Sequence, residues 1–161
     1  LNNDSAEKSM YVLKNIVTDI RSVRSRMNVA PSKYSDLIIQ CKKEDQVFIN
    51  EHFSLLKSLA RISNISMAED VVKPPKSATA ISNGMVLYIP LGGLVNLEEE
   101  KNRMEKRTLD INKLLSKIDA KLSNENFLKR APESVIEKER FNHSKLNQEL
   151  EKISKNLEMI R

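Results

Sequence analysis

From residue 97 onward apolar residues return every seven positions, and that period limits the fold more than any other feature of the chain. Leu97, Met104, Ile111 and Ile118 form one row. Lys101, Thr108, Leu115 and Leu122 form a second, four residues behind it. After a break at Ser123 to Pro132 the pattern resumes at Ile136, Glu139, His143, Leu146, Leu150, Ile153, Leu157 and Ile160. Alternating steps of three and four keep side chains on one seam of a helix. Two such helices joined by a short loop predict an antiparallel coiled coil. Helices of about 26 residues, rising about 1.5 Å per residue, make an arm roughly 40 Å long. An arm of that length buries little besides its own seam, and its natural use is reach.

Composition agrees with a rod attached to something small. The 161 residues suffice for one ordinary domain or two small ones. Charged residues reach 30%, aromatics only 4%, and there is no Trp, which argues against one large core. The formal net charge of +5 is compatible with a phosphate backbone as partner without requiring one. Cys41 is the only cysteine and cannot pair within the chain, so a reduced cytosolic setting is expected. It sits in the apolar stretch Leu37 to Cys41, which predicts a buried strand thiol rather than a reactive one. No apolar run approaches the roughly 18 residues of a membrane helix. With no signal peptide and no initiating Met, the chain reads as an internal or C-terminal piece of something longer.

Before the arm, Asp4 and Glu7 suggest a capping box opening a helix. Met10, Leu13, Ile16, Val17, Ile20, Val23 and Met27 then recur at helical spacing, and Asn28 to Ser32 stop it, since Pro31 disfavours helix at Ala30. Leu37 to Cys41 predicts a short strand, Lys43 to Arg61 a helix, and Asn64 to Met67 a further short strand. Lys73 to Lys76 is a connector. Thr79 to Pro90 carries the clearest hairpin signal, with Asn83-Gly84 supplying the positive φ values of a tight primed turn. Gly92-Gly93 marks a hinge. The expected fold class is therefore α+β, mostly α. Residues 1–34 form an N-terminal helix, 35–93 a small mixed α/β unit with a β-hairpin, and 94–161 a long antiparallel two-helix coiled coil.

Catalytic chemistry is nearly absent. His52 lies beside Phe53 on a predicted helix, and His143 lies on the seam, where a polar residue fixes register. No Cys, His or carboxylate cluster has metal-ligand spacing, and there is neither a phosphate loop nor a nucleophile elbow. No cofactor is expected on this chain. Charge placement remains. From Arg21 to Lys33 there are four cations, Arg21, Arg24, Arg26 and Lys33, and no acid. They read either as a helix end complementing its own dipole or as a helix end aimed at phosphates. In the break of the heptads, Phe127 precedes Lys129 and Arg130. An aromatic beside cations can stack on an unpaired base, or it can cap the end of the coiled-coil core.

These residues resemble a known family. Ile20 to Lys33, with Arg24, Met27-Asn28 and Pro31-Ser32-Lys33, is similar to the Arg-x-x-Met-Asn-x-x-Pro-Ser-Lys segment of valyl-tRNA synthetases. Gly92 to Glu100 resembles the start of their C-terminal arm. Leu122 to Pro132, with Val135 to Arg140, resembles the arm's loop and returning helix, the most specific part of the likeness. The resemblance implies the end of an anticodon-binding domain followed by a coiled-coil tRNA-binding arm. The family's His-Ile-Gly-His and Lys-Met-Ser-Lys-Ser motifs do not occur here. ATP and Mg would therefore be bound by the catalytic domain of the parent polypeptide, which, like the editing domain, is missing from this chain. The same resemblance implies roles for two basic regions: Arg21, Arg24, Arg26 and Lys33 on the anticodon side, and Lys121, Phe127, Lys129, Arg130 and Arg140 at the elbow of a tRNA, of valine by family. Arg24 lies close to the apolar stripe of its own helix, so internal packing is its alternative. Cytoplasmic location, no membrane and a monomer complete the expectation. A coiled-coil module for protein partners is the competing reading.

Overall fold

The computed structural model describes residues 4–161, and they fall into two compact units: residues up to 100 together with 159–161, and residues 101–158. In the first unit, α1 (Asp4–Arg26) buries Leu13, Ile16, Val17, Ile20 and Val23 of the stripe that its period predicts, while Met10 at its start is exposed. Asp4 and Glu7 both lie in the first described turn, so the cap position itself falls outside the described residues. The helix ends where Asn28 turns left-handed, at φ 56°, a conformation that Asn tolerates better than most residues.

Four strands follow: β1 (Ser35–Gln40), β2 (Ile62–Ala68), β3 (Ser77–Ser82) and β4 (Met85–Pro90). They form one sheet in the order β2-β1-β4-β3. β1 and β2 are parallel, which demands a crossover, and two short helices supply it: α2 (Lys43–Glu51) and α3 (Phe53–Ala60). A single helix over Lys43 to Arg61 was expected. The chain instead breaks at His52, whose Nδ1 lies 2.9 Å from the Phe48 carbonyl and whose ring sits 4.5 Å from that of Phe48. β3 and β4 form the predicted hairpin, with Asn83 at φ 50° and Gly84 at φ 79°, both signs that a type I′ turn requires.

Alternation along the strands sends Leu37, Ile39, Leu87, Ile89 and Ala78 to one face, all fully buried. α1 packs on β3 and α3, and α3 on β2, closing that core. Cys41 is buried beside it, and burial, followed by Asp45, raises its thiol above the usual range. It behaves as a small apolar side chain.

The second unit is the heptad region. α4 (Leu97–Leu122) and α6 (Glu133–Ile160) are the two long helices whose residues 101–158 compose it. Arg107 pairs with Glu149 and Lys121 with Glu139, so as one helix advances its partner retreats. The hairpin is antiparallel, as the sequence predicts. Met104, Ile111, Leu115 and Ile118 are buried on the α4 side, and Ile136, Leu146, Leu150 and Ile153 are half-buried on the α6 side. The connecting segment is not a plain loop. It holds a short helix, α5 (Glu125–Arg130), capped by Asn124, whose Oδ1 accepts from the N–H groups of Asn126 and Phe127. Pro132 immediately precedes α6, its carbonyl accepting from the N–H groups of Val135 and Ile136.

Candidate nucleic-acid interface

The four cations near the end of α1 serve different ends. Arg24 departs from the phosphate-binding expectation. It is buried, and its guanidinium is spent on backbone carbonyls. Nη1 donates to Ala60 and Arg61, both at 3.0 Å, and Nη2 to Lys33 and, at 3.5 Å, to Ala30. A planar fork suits this task because one group must satisfy acceptors arriving from two loops. Burial first, and the charge of Arg61 second, lower its pKa. Arg24 is a strut that ties the end of α1 to the turn before β2. The spacing hint was its place beside the apolar stripe; the carbonyls that it meets come from distant sequence.

Arg21 is exposed and donates through Nε and Nη2 to the Leu59 carbonyl at 3.1 and 2.7 Å, which steadies the C-terminal end of α3. Lys33 is exposed and reaches the Leu94 carbonyl at 2.9 Å. Arg26 is exposed. An open cleft of about 560 Å³ runs between Arg21, Asn28, Pro31, Leu59 and Arg61, all in the first unit. Arg61, which the sequence did not single out, stands there at φ 55° with its guanidinium 5.6 Å from the Tyr34 ring centre. The region therefore offers exposed cations at Arg21, Arg26, Lys33 and Arg61.

At the other basic region, Lys129 and Arg130 are exposed on α5, with Lys129 loosely paired to Glu125 at 3.4 Å. Lys121 is exposed and paired with Glu139 at 2.7 Å. Arg140 is exposed on α6. Phe127 is half-buried, not the freely exposed ring that stacking would favour, while its neighbour Leu128 is exposed. The exposed aromatic of this unit is Phe141, 61% accessible, with Lys145 Nζ 5.2 Å from its ring centre. The sequence signal for it was its place three residues after Lys138 and four before Lys145, on the outward side of a helix. His143 has a partner at each ring nitrogen. Its Nε2 faces Asp119 at 3.0 Å across the seam, and its Nδ1 meets Asn147 on its own helix at 3.2 Å.

Among the described residues no group of His, Cys, Asp or Glu is placed to hold a metal ion, and no helix is long and apolar enough to cross a membrane. The described residues thus form a small α/β unit and an antiparallel helical hairpin, each with exposed cations. Comparison with known proteins narrows this. Residues 96–161 match the family described as the valyl tRNA synthetase tRNA binding arm. The chain is 37% identical over 132 residues to a valine–tRNA ligase of Francisella tularensis, an alignment covering 81% of this chain and 14% of that protein. To the valine–tRNA ligase of Geobacillus kaustophilus it is 36% identical over 141 residues, covering 87% and 16%. To that of Enterococcus faecalis it is 29% identical over 161 residues, covering 99% and 18%. The chain thus spans less than a fifth of the length of these curated relatives. It belongs to the valyl-tRNA synthetase family and carries that family's arm.

Proposed function

We propose that this chain binds and positions tRNA as an accessory part of a valine–tRNA ligase. The observation that carries the reading is that residues matching a tRNA-binding arm form a closed hairpin whose connecting helix exposes Lys129 and Arg130. Phosphate contacts made by such side chains fix register and orientation and carry little sequence information. In this reading the outer corner of a tRNA, where its D- and T-loops meet, rests on the hairpin. Arg21, Arg26 and Lys33 act on the anticodon side. The tRNA is a valine tRNA by family membership, not by any base-reading side chain in this chain.

Aminoacylation itself, with ATP and Mg, belongs to domains outside these residues. The contribution here is affinity and placement. A tRNA held at a remote point presents its acceptor end to the distant active site at a raised effective concentration. The protein acts in the cytoplasm, and the hairpin closes on itself, giving a monomer.

The test is binding of a valine tRNA transcript, followed by fluorescence anisotropy at low salt. The double variant Lys129→Glu with Arg130→Glu is predicted to bind at least tenfold more weakly than the unaltered chain, with unchanged helicity. Equal binding by the two would refute the assignment of the connecting helix. Capture of a helical protein partner with no affinity for tRNA would favour the interaction-module reading.

A further inference from the structure

The two sides of the hairpin differ in charge, and the ion pairs show which residues share a side. Thr108, Leu115 and Leu122 on α4, and Ile136, His143, Leu150 and Leu157 on α6, occupy one seam row; the residue just before each lies on one flank. Arg107 and Glu149 are two of those flanking residues, and they bond to each other across the helices. That flank of α4 therefore faces the same flank of α6. The positions next outward complete a broad face, on which α4 places Arg103, Arg107, Lys117 and Lys121, and α6 places Lys138, Lys145 and Lys152. Its acids are Asp110 and Glu149, and the seam residue Glu139 also reaches it to pair with Lys121. The opposite broad face, marked by Asp119 next to His143, carries Glu105, Asp119, Glu137, Glu151 and Glu158, with Arg140 as its cation.

One face is thus strongly basic and the other acidic, a division that a net charge hides. On the basic face Arg107 and Lys121 are engaged by Glu149 and Glu139. Lys117, Lys138 and Lys145 are exposed and join no ion pair among the described residues. Arg107 lies opposite Glu149 and Lys121 opposite Glu139, which sets Lys117 level with the stretch between Lys138 and Lys145, two positions that helical rise separates by about 10 Å. Leu114 and Val135, both exposed, are flanking positions of the same face, and Lys145 Nζ lies 5.2 Å from the Phe141 ring centre.

We infer that folded RNA docks on this broad face, with Lys117, Lys138 and Lys145 on backbone phosphates and the Phe141 ring against an unpaired base or a ribose. The inference rests on the tRNA-binding reading above and extends the contact from the connecting helix to one side of the hairpin. It removes Arg140 from the interface, because that residue stands among acids that repel phosphate. Charge complementarity selects the partner. Lysines spread over a width of two helices match a phosphodiester surface, and an aromatic beside them suits bases, whose faces stack on rings. An anionic lipid surface shares the charge but gives the ring no stacking partner.

The test compares two double variants that lower the net charge equally on opposite faces. Lys138→Gln with Lys145→Gln alters the basic face. Ser116→Glu with Ser144→Glu alters the acidic face at the same height, and all four positions are exposed, so folding, checked by circular dichroism, is retained. The probe is a valine tRNA transcript. The lysine pair is predicted to weaken binding about tenfold or more and to flatten the dependence of log affinity on log salt by about 1.5, from two lost phosphate contacts. The serine pair is predicted to change affinity less than threefold. Phe141→Leu is predicted to weaken binding roughly fivefold or more with the salt slope intact. Equal effects of the two pairs, or tRNA binding indifferent to the lysine pair, would overturn the face assignment while leaving tRNA binding standing. An unaltered chain that ignores tRNA yet binds phosphatidylserine vesicles through the lysine pair would overturn the choice of RNA as ligand. An unaltered chain that binds neither would remove the functional reading on which the inference stands.

Discussion

Arg107 on α4 and Glu149 on α6 meet in a two-pronged ion pair, Nε to Oε1 at 2.7 Å and Nη2 to Oε2 at 3.0 Å. The pair fixes the register of the hairpin, because one step along either helix would separate the two groups. The hydrogen bond from Arg107 holds the Glu149 carboxyl below the usual glutamate range. A carboxyl lowered in this way stabilises the fold above its unfolded value, about 4.3, and loses that contribution as pH falls through the lowered one. Thermal melts of the unaltered chain should therefore fall more steeply below about pH 4.3 than melts of Glu149→Gln. Both side chains are partly exposed, so the difference should be modest and should shrink in high salt. Parallel acid profiles for the two proteins would show that the pair adds nothing to stability.

Arg24 should matter for folding rather than for RNA. Replacing it by Met leaves the carbonyls of Lys33, Ala60 and Arg61 short of a donor, at a cost of roughly 3 kcal/mol. Lys is predicted to rescue only part of this, since one ammonium cannot reproduce the planar fork. Denaturant unfolding reads the loss. A variant as stable as the parent would contradict the strut assignment.

Glycines test the backbone. Gly84 has φ 79° with open space where a Cβ would sit, so Gly84→Ala strains the hairpin turn by about 1 kcal/mol through conformation alone. Gly92 also has room and no positive φ, and Gly92→Ala is predicted to be neutral or to stabilise by about 0.5 kcal/mol. Unfolding midpoints of the two variants should move in different directions, or one alone should move.

The seam should behave as an intramolecular core. Ile111 is fully buried, and Ile111→Ala is predicted to cost roughly 2–4 kcal/mol. Light scattering should return a monomer at all working concentrations, and the melting temperature should not depend on concentration. A concentration-dependent melt would indicate pairing between chains instead.

Sequence made the hairpin legible because a heptad seam has a period found in few other structures, and the turn at Asn83-Gly84 legible because φ > 0 at both positions leaves few residue choices. It was silent where the deciding group lies far away. Nothing near Arg24 announces the carbonyls of Ala60 and Arg61. The break at His52 was hidden because Val47, Ile49, Phe53, Leu55 and Leu56 keep an apolar rhythm through it. The helix after Asn124 is only six residues long, too short for periodicity, though an Asn cap followed by Glu125 was its trace. The two-sided charge of the hairpin was written in the flanking columns, but became readable only once Arg107 and Glu149 fixed which columns meet.

The most direct test of the central claim is the affinity of the 161-residue chain for a valine tRNA transcript, measured across a salt series from about 50 to 200 mM. A steep linear fall of log affinity with log salt, with a slope corresponding to about three or more phosphate contacts, is the predicted result. Undetectable binding at the lowest salt, or an affinity that ignores salt, would contradict it.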